Sequence, residues 1–169
     1  MLRTLHWRSL ASLALQLAVL SLLVAAFFVL PWQVSGLSMA PHIAPDKYVL
    51  INRFAYRLGL PQRGEIVAFR RPDDDSRVFI KRVVGISGDR ISIVRGAVFV
   101  NGTALAEPYV RFADDRSFAS VVVPPLAVYV LGDNRADSED SRLFGAVPEN
   151  RIIGRAVAGI WPPSDIGRL

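Results

Sequence analysis

The sequence predicts a mainly β protein: a compact antiparallel β domain with little helix, preceded by one N-terminal transmembrane helix. Three observations lead there. Residues 10–30 form an apolar run broken only by Ser12, Gln16 and Ser21 and free of charge, close to the ~20 residues that cross the hydrocarbon core as a helix. Downstream, short alternating pieces rich in Val, Ile and Phe are separated by Gly, Pro and Asp, the pattern of strands and turns. Arg95-Gly96 and Asn101-Gly102 fall between such pieces, and Asn-Gly supplies the positive φ angles of a tight hairpin.

Taken in order, the chain divides into a short basic tail (1–9), a membrane anchor (10–30) and a folded domain (31–169). A cleaved secretory signal has a shorter apolar core, about 7–15 residues, and a small-residue site after it. Here only Val34-Ser35-Gly36 offers such a site, and it is a poor one. Arg3 and Arg8 precede the span, so the positive-inside rule puts the N-terminus in the cytoplasm and the domain outside it. Strands are expected at 65–69, 78–84, 90–94, 97–100 and 127–131. Residues 46–58 are the best helix candidate. Asp73-Asp74-Asp75 reads as a solvated loop, as does 111–120, and Trp161-Pro162-Pro163-Ser164 breaks regular structure near the end. Asn101-Gly102-Thr103 matches a glycosylation acceptor, but a hairpin turn explains it better.

Composition removes several chemistries. There is no cysteine, which excludes disulfides, zinc thiolates and a cysteine nucleophile. The two histidines, His6 and His42, are too few for a histidine-rich metal site, and no cofactor is implied. Of 20 basic residues, 18 are arginines, and the two lysines are Lys47 and Lys81. The arginines are scattered, which suits an anionic membrane surface better than nucleic acid. Lysine, unlike arginine, can lose its proton when buried.

Two stretches carry chemistry by residue type. In Phe79-Ile80-Lys81-Arg82, apolar neighbours disfavour the charged form of Lys81 by desolvation. A neutral lysine is a general base, and such a base can activate a serine hydroxyl. The alternative is a surface lysine at a strand edge, its stem lying on apolar surface. The second stretch is Gly132-Asp133-Asn134-Arg135-Ala136-Asp137-Ser138-Glu139-Asp140-Ser141-Arg142. Taken alone it is a solvated charged face in which Asp133, Arg135, Asp140 and Arg142 could pair and brace a loop.

Four segments, in order, resemble the type I signal peptidases, the serine/lysine leader peptidases. Ser35-Gly36-Leu37-Ser38-Met39-Ala40-Pro41 is similar to their nucleophile segment. Arg63-Gly64-Glu65-Ile66-Val67-Ala68-Phe69 resembles their Arg-Gly-Asp-Ile-Val-Val-Phe. Phe79 to Gly85 followed by Gly88-Asp89 resembles the lysine segment, and the 132–142 stretch resembles their Gly-Asp-Asn-Arg-Asp-Asn-Ser-x-Asp-Ser-Arg box. The resemblance implies a membrane-anchored serine endopeptidase of the bacterial cytoplasmic membrane, acting outside the cytoplasm. It would remove signal peptides from exported preproteins after Ala-x-Ala-like sites. Ser38 would be the nucleophile, Lys81 the general base, and Ser138 a hydrogen-bond partner that orients Lys81. Trp32, Val34 and Ile80 match positions lining the substrate clefts. Ala136 and Asp137 depart from the family's Asp-Asn pair. Gly36 stands where some members have a serine that helps hold the oxyanion, which leaves the Ser38 N–H as one donor and the second unassigned.

Rival readings are a Ser-His-Asp hydrolase, a Ser/Lys peptidase dedicated to a narrow substrate such as a pilus subunit, and a non-catalytic membrane-anchored β domain. His42 lies only four residues from Ser38 in a proline-punctuated segment, a poor geometry for a base. His6 lies across the membrane from the domain.

Overall fold

A computed structural model describes residues 2–57, 59–162 and 167–168. Helix α1 (Leu2–Phe28) leads directly into β1 (Val29–Gln33). The helix thus ends before the expected limit of the span. Val29 and Leu30 are strand residues, paired with Asn52 and Ile51, and Pro31 restricts the residue before it to extended backbone. Side chains of α1 are described at 7 and 9–22, where Leu10, Leu13, Leu15, Leu17, Leu20 and Leu22 are all exposed. Among the described residues, no helix is long and apolar enough to cross a membrane.

After β2 (Tyr48–Asn52), β3 (Ile66–Arg71) and β4 (Asp74–Gly85) form a hairpin. β5 (Arg90–Val94), β6 (Ala97–Val100) and β7 (Thr103–Ala104) form a meander. β8 (Phe118–Val122) returns to β5, and β9 (Ala127–Leu131) re-enters the larger sheet. The remaining elements are α2 (Ser141–Phe144), β10 (Val147–Pro148), a single 3-10 turn (Glu149–Arg151), β11 (Ile152–Trp161) and β12 (Gly167–Arg168). The larger sheet runs β1-β2-β11-β3-β4-β9-β10, with β12 on β11; the smaller runs β7-β6-β5-β8. Paired strands are antiparallel throughout. The molecule is mainly β with little helix, as the alternation implied.

The turns at Arg95-Gly96 and Asn101-Gly102 have positive φ at both residues (46° and 79°, 54° and 84°), the geometry of the tight hairpin connection. The helix expected at 46–58 is not formed: Tyr48–Asn52 is β2, and turns follow it. Val49 and Ile51 are buried while Tyr48 is exposed, a period of two that overrides the interrupted helical pattern. Leu58 lies outside the described residues. The triple-aspartate loop shrinks to a turn, since Asp74 already belongs to β4. The 111–120 loop gives way to β8 at Phe118, and Phe112 forms a bridge to Asn134. Of the expected break near the end, Pro163 and Ser164 lie outside the described residues; Trp161 closes β11.

Three apolar clusters hold these layers. The one that matters most here joins Val34, Met39 and Ile43 to Val49, Ile51, Ile66, Ala68, Ile80 and Ala156. Met39 and Ile43 are wholly buried, and the Ile43 N–H donates to the Met39 carbonyl at 2.8 Å. The segment after Ser38 is therefore pinned into the core immediately beside that serine. Burying a side chain of this size contributes roughly 1.5–3 kcal/mol.

Candidate active site

Alternation along β4 puts Phe79, Lys81 and Val83 on one face and Ile80 and Arg82 on the other. β4 lies between β3 and β9, so its backbone is paired on both sides: Lys81 faces Val67, and Arg82 faces Ile66 and Leu131. Lys81 is 3% exposed. Its Nζ lies 5.2 Å from the centre of the Phe79 ring and donates to Ser38 Oγ at 2.5 Å. Burial pushes its pKa down to about 8; the Asp140, Glu139 and Asp137 carboxylates oppose that shift, and Arg142 adds to it. Among the described residues Lys81 forms no ion pair. A neutral amine at this position can take the hydroxyl proton, the hydrogen bond then running from Ser38 Oγ–H to the nitrogen lone pair.

The 132–142 stretch follows β9 and wraps the segment that carries Ser38. The Asn134 N–H donates to the Ser38 carbonyl at 3.0 Å, and Asn134 Nδ2 donates to the Leu37 carbonyl at 3.3 Å. Gly132 is the point of closest approach. A Cβ there would lie 2.5 Å from the Ser38 carbonyl oxygen and 2.3 Å from Ser138 Oγ, which no side chain permits. The Ser38 N–H has no hydrogen-bond partner among the described residues, which leaves it available to a developing oxyanion.

The charged residues of the stretch do brace it, mostly through partners outside it. Asp133, wholly buried, takes a bidentate pair from Arg82 Nε (2.9 Å) and Nη2 (2.7 Å). The Arg82 guanidinium also donates to the Gly64 carbonyl and stacks 4.1 Å from the Tyr109 ring centre. Arg135 pairs with Glu107 and donates through Nε to the Gly132 carbonyl at 2.8 Å. Asp140 caps α2, accepting from the Arg142 N–H at 3.2 Å and from the Gly132 N–H at 3.0 Å. It also pairs with Arg142, which reaches Asp114 at 2.6 Å. The Asp140–Arg142 pair is internal, as expected; Asp133 and Arg135 find their partners in β4 and in the 107 region instead. Buried bidentate pairs of this kind fix geometry because removing one member leaves an uncompensated charge.

The hydrogen bond expected from Ser138 to the Lys81 amine is not formed in this arrangement. The Ser138 Oγ is buried and makes no hydrogen bond among the described residues. It packs against Gly132, while the Lys81 amine is turned to Ser38. Sequence reasoning also assigned no function to Asn134, Arg82, Glu107 or Asp114. Arg82 had a legible signal, since a strand residue next to a buried lysine falls on the opposite face. The partners Glu107 and Asp114 had none, because they sit far along the chain in irregular segments.

Trp32, Val34 and Ile80 come together with Ser38 and Lys81 around one cleft of about 400 Å³. Val34 and Ile80 are buried and apolar. The mouth carries Arg77, Asp137 and Glu139; Glu139 bonds Arg71 at 2.8 Å and lies 3.2 Å from Arg77. The Cβ position of Gly36 opens onto empty space. His42 makes no hydrogen bond to Ser38.

A half-buried serine hydroxyl bonded to a buried lysine amine, with no histidine beside it, lines a cleft of mixed polar and apolar character, an arrangement that fits the serine-hydrolase class. The profile of the family described as signal peptidase, peptidase S26, matches residues 7–161. The chain is 33% identical over 168 residues to a probable signal peptidase I-2 of a Synechocystis species, covering 96% of this chain and 77% of that protein. It is 30% identical over 165 residues to signal peptidase IB of Staphylococcus aureus, covering 87% and 85%. Among solved structures, a signal peptidase I from Enterococcus faecalis superposes with a TM-score of 0.52 at 29% identity, covering 59% of this chain and 98% of that one. The chain belongs to the signal peptidase family, peptidase S26.

Proposed function

We propose that Ser38 and Lys81 are the catalytic pair of this signal peptidase and that the 400 Å³ cleft holds the residues preceding the cut. The enzyme is a serine endopeptidase that removes signal peptides. In the first step the neutral Lys81 amine takes the Ser38 hydroxyl proton as Oγ attacks the scissile carbonyl. The oxyanion gathers at the Ser38 N–H. The tetrahedral adduct collapses, the C–N bond breaks, and the Lys81 ammonium returns its proton to the leaving amine. Water, deprotonated by the same amine, then releases the acyl group and regenerates Ser38. Val34 and Ile80 offer a small apolar surface, which suits Ala-x-Ala-like ends and excludes large polar side chains. Ser138 is a positioning residue: its unpartnered hydroxyl is free to meet the Lys81 ammonium once Ser38 is acylated.

The observation that carries this reading is the 2.5 Å contact between a buried lysine amine and a serine hydroxyl. The N-terminal helix fits the same reading as an anchor. α1 carries exposed leucines along its described length and joins the domain through β1, whose continuation is the nucleophile segment. Insertion of α1, with Arg3 and Arg8 on the cytoplasmic side, holds the cleft at the outer membrane face, where signal peptides emerge. The test is cleavage of an Ala-x-Ala peptide by the full chain in detergent. Ser38→Ala and Lys81→Arg are expected to abolish turnover while leaving the fold intact, because arginine cannot give up its proton. A folded Lys81→Arg enzyme keeping a tenth of wild-type turnover refutes the amine base. Digestion of the domain by protease added outside intact spheroplasts, but not in inside-out vesicles, checks the topology.

A further inference from the structure

Away from the cleft, the end of the larger sheet nearest α1 carries a second constellation. The register brings it together. Val29, the first residue after α1, pairs with Asn52 at the end of β2, and Arg53 follows immediately. On the neighbouring strands Ile152 pairs with Phe69; Arg151 precedes the one and Arg70 follows the other. The turn after β2, fixed by the Phe54 N–H donating to Asn52 Oδ1 at 2.9 Å and the Arg57 N–H to the Phe54 carbonyl at 3.0 Å, adds Arg57. Arg53, Arg57, Arg70 and Arg151 line one pocket of about 510 Å³, with Phe54 and Ile152 among its apolar lining residues. No lining residue is acidic. Asp75 pairs with Arg151 and, through its carbonyl, accepts from Arg70 at 3.2 Å. Arg53 and Arg57 are exposed and form no ion pair among the described residues.

We infer that this pocket binds the phosphate of an anionic phospholipid headgroup. Guanidinium forks match phosphate geometry and keep their charge at any working pH. An exposed aromatic ring and an aliphatic side chain beside them suit the boundary where headgroup meets acyl chain. The position is what selects a lipid over a soluble anion: the pocket opens at the sheet end from which the apolar helix leaves. The inference rests on α1 lying in the membrane. The pocket shares no residue with the catalytic cleft, so lipid there would fix the tilt of the domain on the bilayer without entering the chemistry.

The test uses the full chain in non-ionic detergent, titrated calorimetrically with short-chain phosphatidylglycerol, phosphatidylcholine of the same acyl length, and inorganic phosphate. Phosphatidylglycerol is expected to bind at least tenfold more tightly than either of the others. The double variant Arg53→Gln, Arg57→Gln should lose about tenfold or more of that affinity, with cleavage of a soluble peptide in the same detergent unchanged. Unaltered affinity in the folded variant overturns the assignment. So does inorganic phosphate binding as tightly as the lipid, which would make the pocket a simple anion site. If the variant does not fold, salt serves instead: wild-type affinity must fall several-fold as ionic strength rises from about 0.05 to 0.5 M, and a salt-independent affinity overturns the proposal. Flotation with pure phosphatidylcholine vesicles separates this from the anchor. Wild type and variant should both float; failure of both refutes membrane insertion of α1, whatever the headgroup titration gives.

Discussion

Replacing Lys81 with methionine is expected to make the protein more stable and inactive at once. The amine is 3% exposed, and burial lowers its pKa from 10.5 to about 8. At about 1.36 kcal/mol per pH unit, holding that group charged in the folded state at pH 7 costs about 3 kcal/mol. Methionine keeps the stem's volume and carries no charge, but it forfeits the contact to Ser38, a loss of about 1 kcal/mol. The net gain for Lys81→Met at pH 7 is therefore about 2 kcal/mol. The sign follows from linkage. A base whose folded pKa is depressed binds fewer protons folded than unfolded between about 8 and 10.5, so wild-type stability rises with pH through that window. By pH 10 the wild type recovers most of the difference, and the advantage of methionine should vanish or reverse. Urea unfolding of both proteins, followed by tryptophan fluorescence at pH 7 and pH 10, reads this directly as a difference between variants, in which groups common to both cancel. A Lys81→Met protein less stable than wild type at pH 7, or an advantage equally large at pH 10, refutes the idea that Lys81 sits in its site as a strained charge.

Three further outcomes are expected. The peptidase kcat/KM should rise about tenfold per pH unit up to about 8 and then level; because Asp137 at the cleft mouth raises the Lys81 pKa, Asp137→Asn should move that rising limb to lower pH, and an upward move would count against the assignment. Arg82→Ala strands the wholly buried Asp133 and should cost about 3–5 kcal/mol in denaturant unfolding; a loss under 1 kcal/mol would mean that water already reaches the carboxylate. Ser138→Ala removes a hydroxyl with no partner here, so stability should change by less than about 1 kcal/mol while kcat falls roughly five- to hundredfold, the worth of one orienting hydrogen bond of 1–3 kcal/mol; unchanged kcat removes Ser138 from the site.

The strands around the site were legible because their signal is local. Residues 90–94, 97–100 and 127–131 alternate or run apolar between turn residues, and the structure places β5, β6 and β9 on those bounds. The Ser38–Lys81 pair was reached by chemistry and resemblance together, since 43 residues separate the two and no local pattern joins them. The pairings of the charged stretch were out of reach. Arg82 meets Asp133 across 51 residues and Arg135 meets Glu107 across 28, and a charge in sequence does not announce which distant charge will neutralise it. The 46–58 segment misled because Tyr48, Val49, Leu50 and Ile51 satisfy both periods over so short a run. The pairing of β2 with β1 and β11 then decides.

Two adjacent residues of β4 show how one strand divides structure from chemistry. Lys81 and Arg82 are consecutive, buried and basic, and alternation sends them to opposite faces. Arginine cannot shed its charge on burial, so the face that receives Arg82 must supply a carboxylate, and Asp133 does so with two hydrogen bonds. Lysine can shed its charge, so the face that receives Lys81 need supply none. It offers Phe79 and a serine hydroxyl instead. The Arg82–Asp133 pair ties the strand to the loop whose Asn134 holds the Ser38 carbonyl. The residue that must stay charged thus helps place the proposed nucleophile beside the residue that can shed its charge. Exchanging the two types would fail on both faces: a lysine at 82 loses the bidentate fork, and an arginine at 81 brings a charge that meets no directly paired carboxylate and that deprotonation cannot relieve.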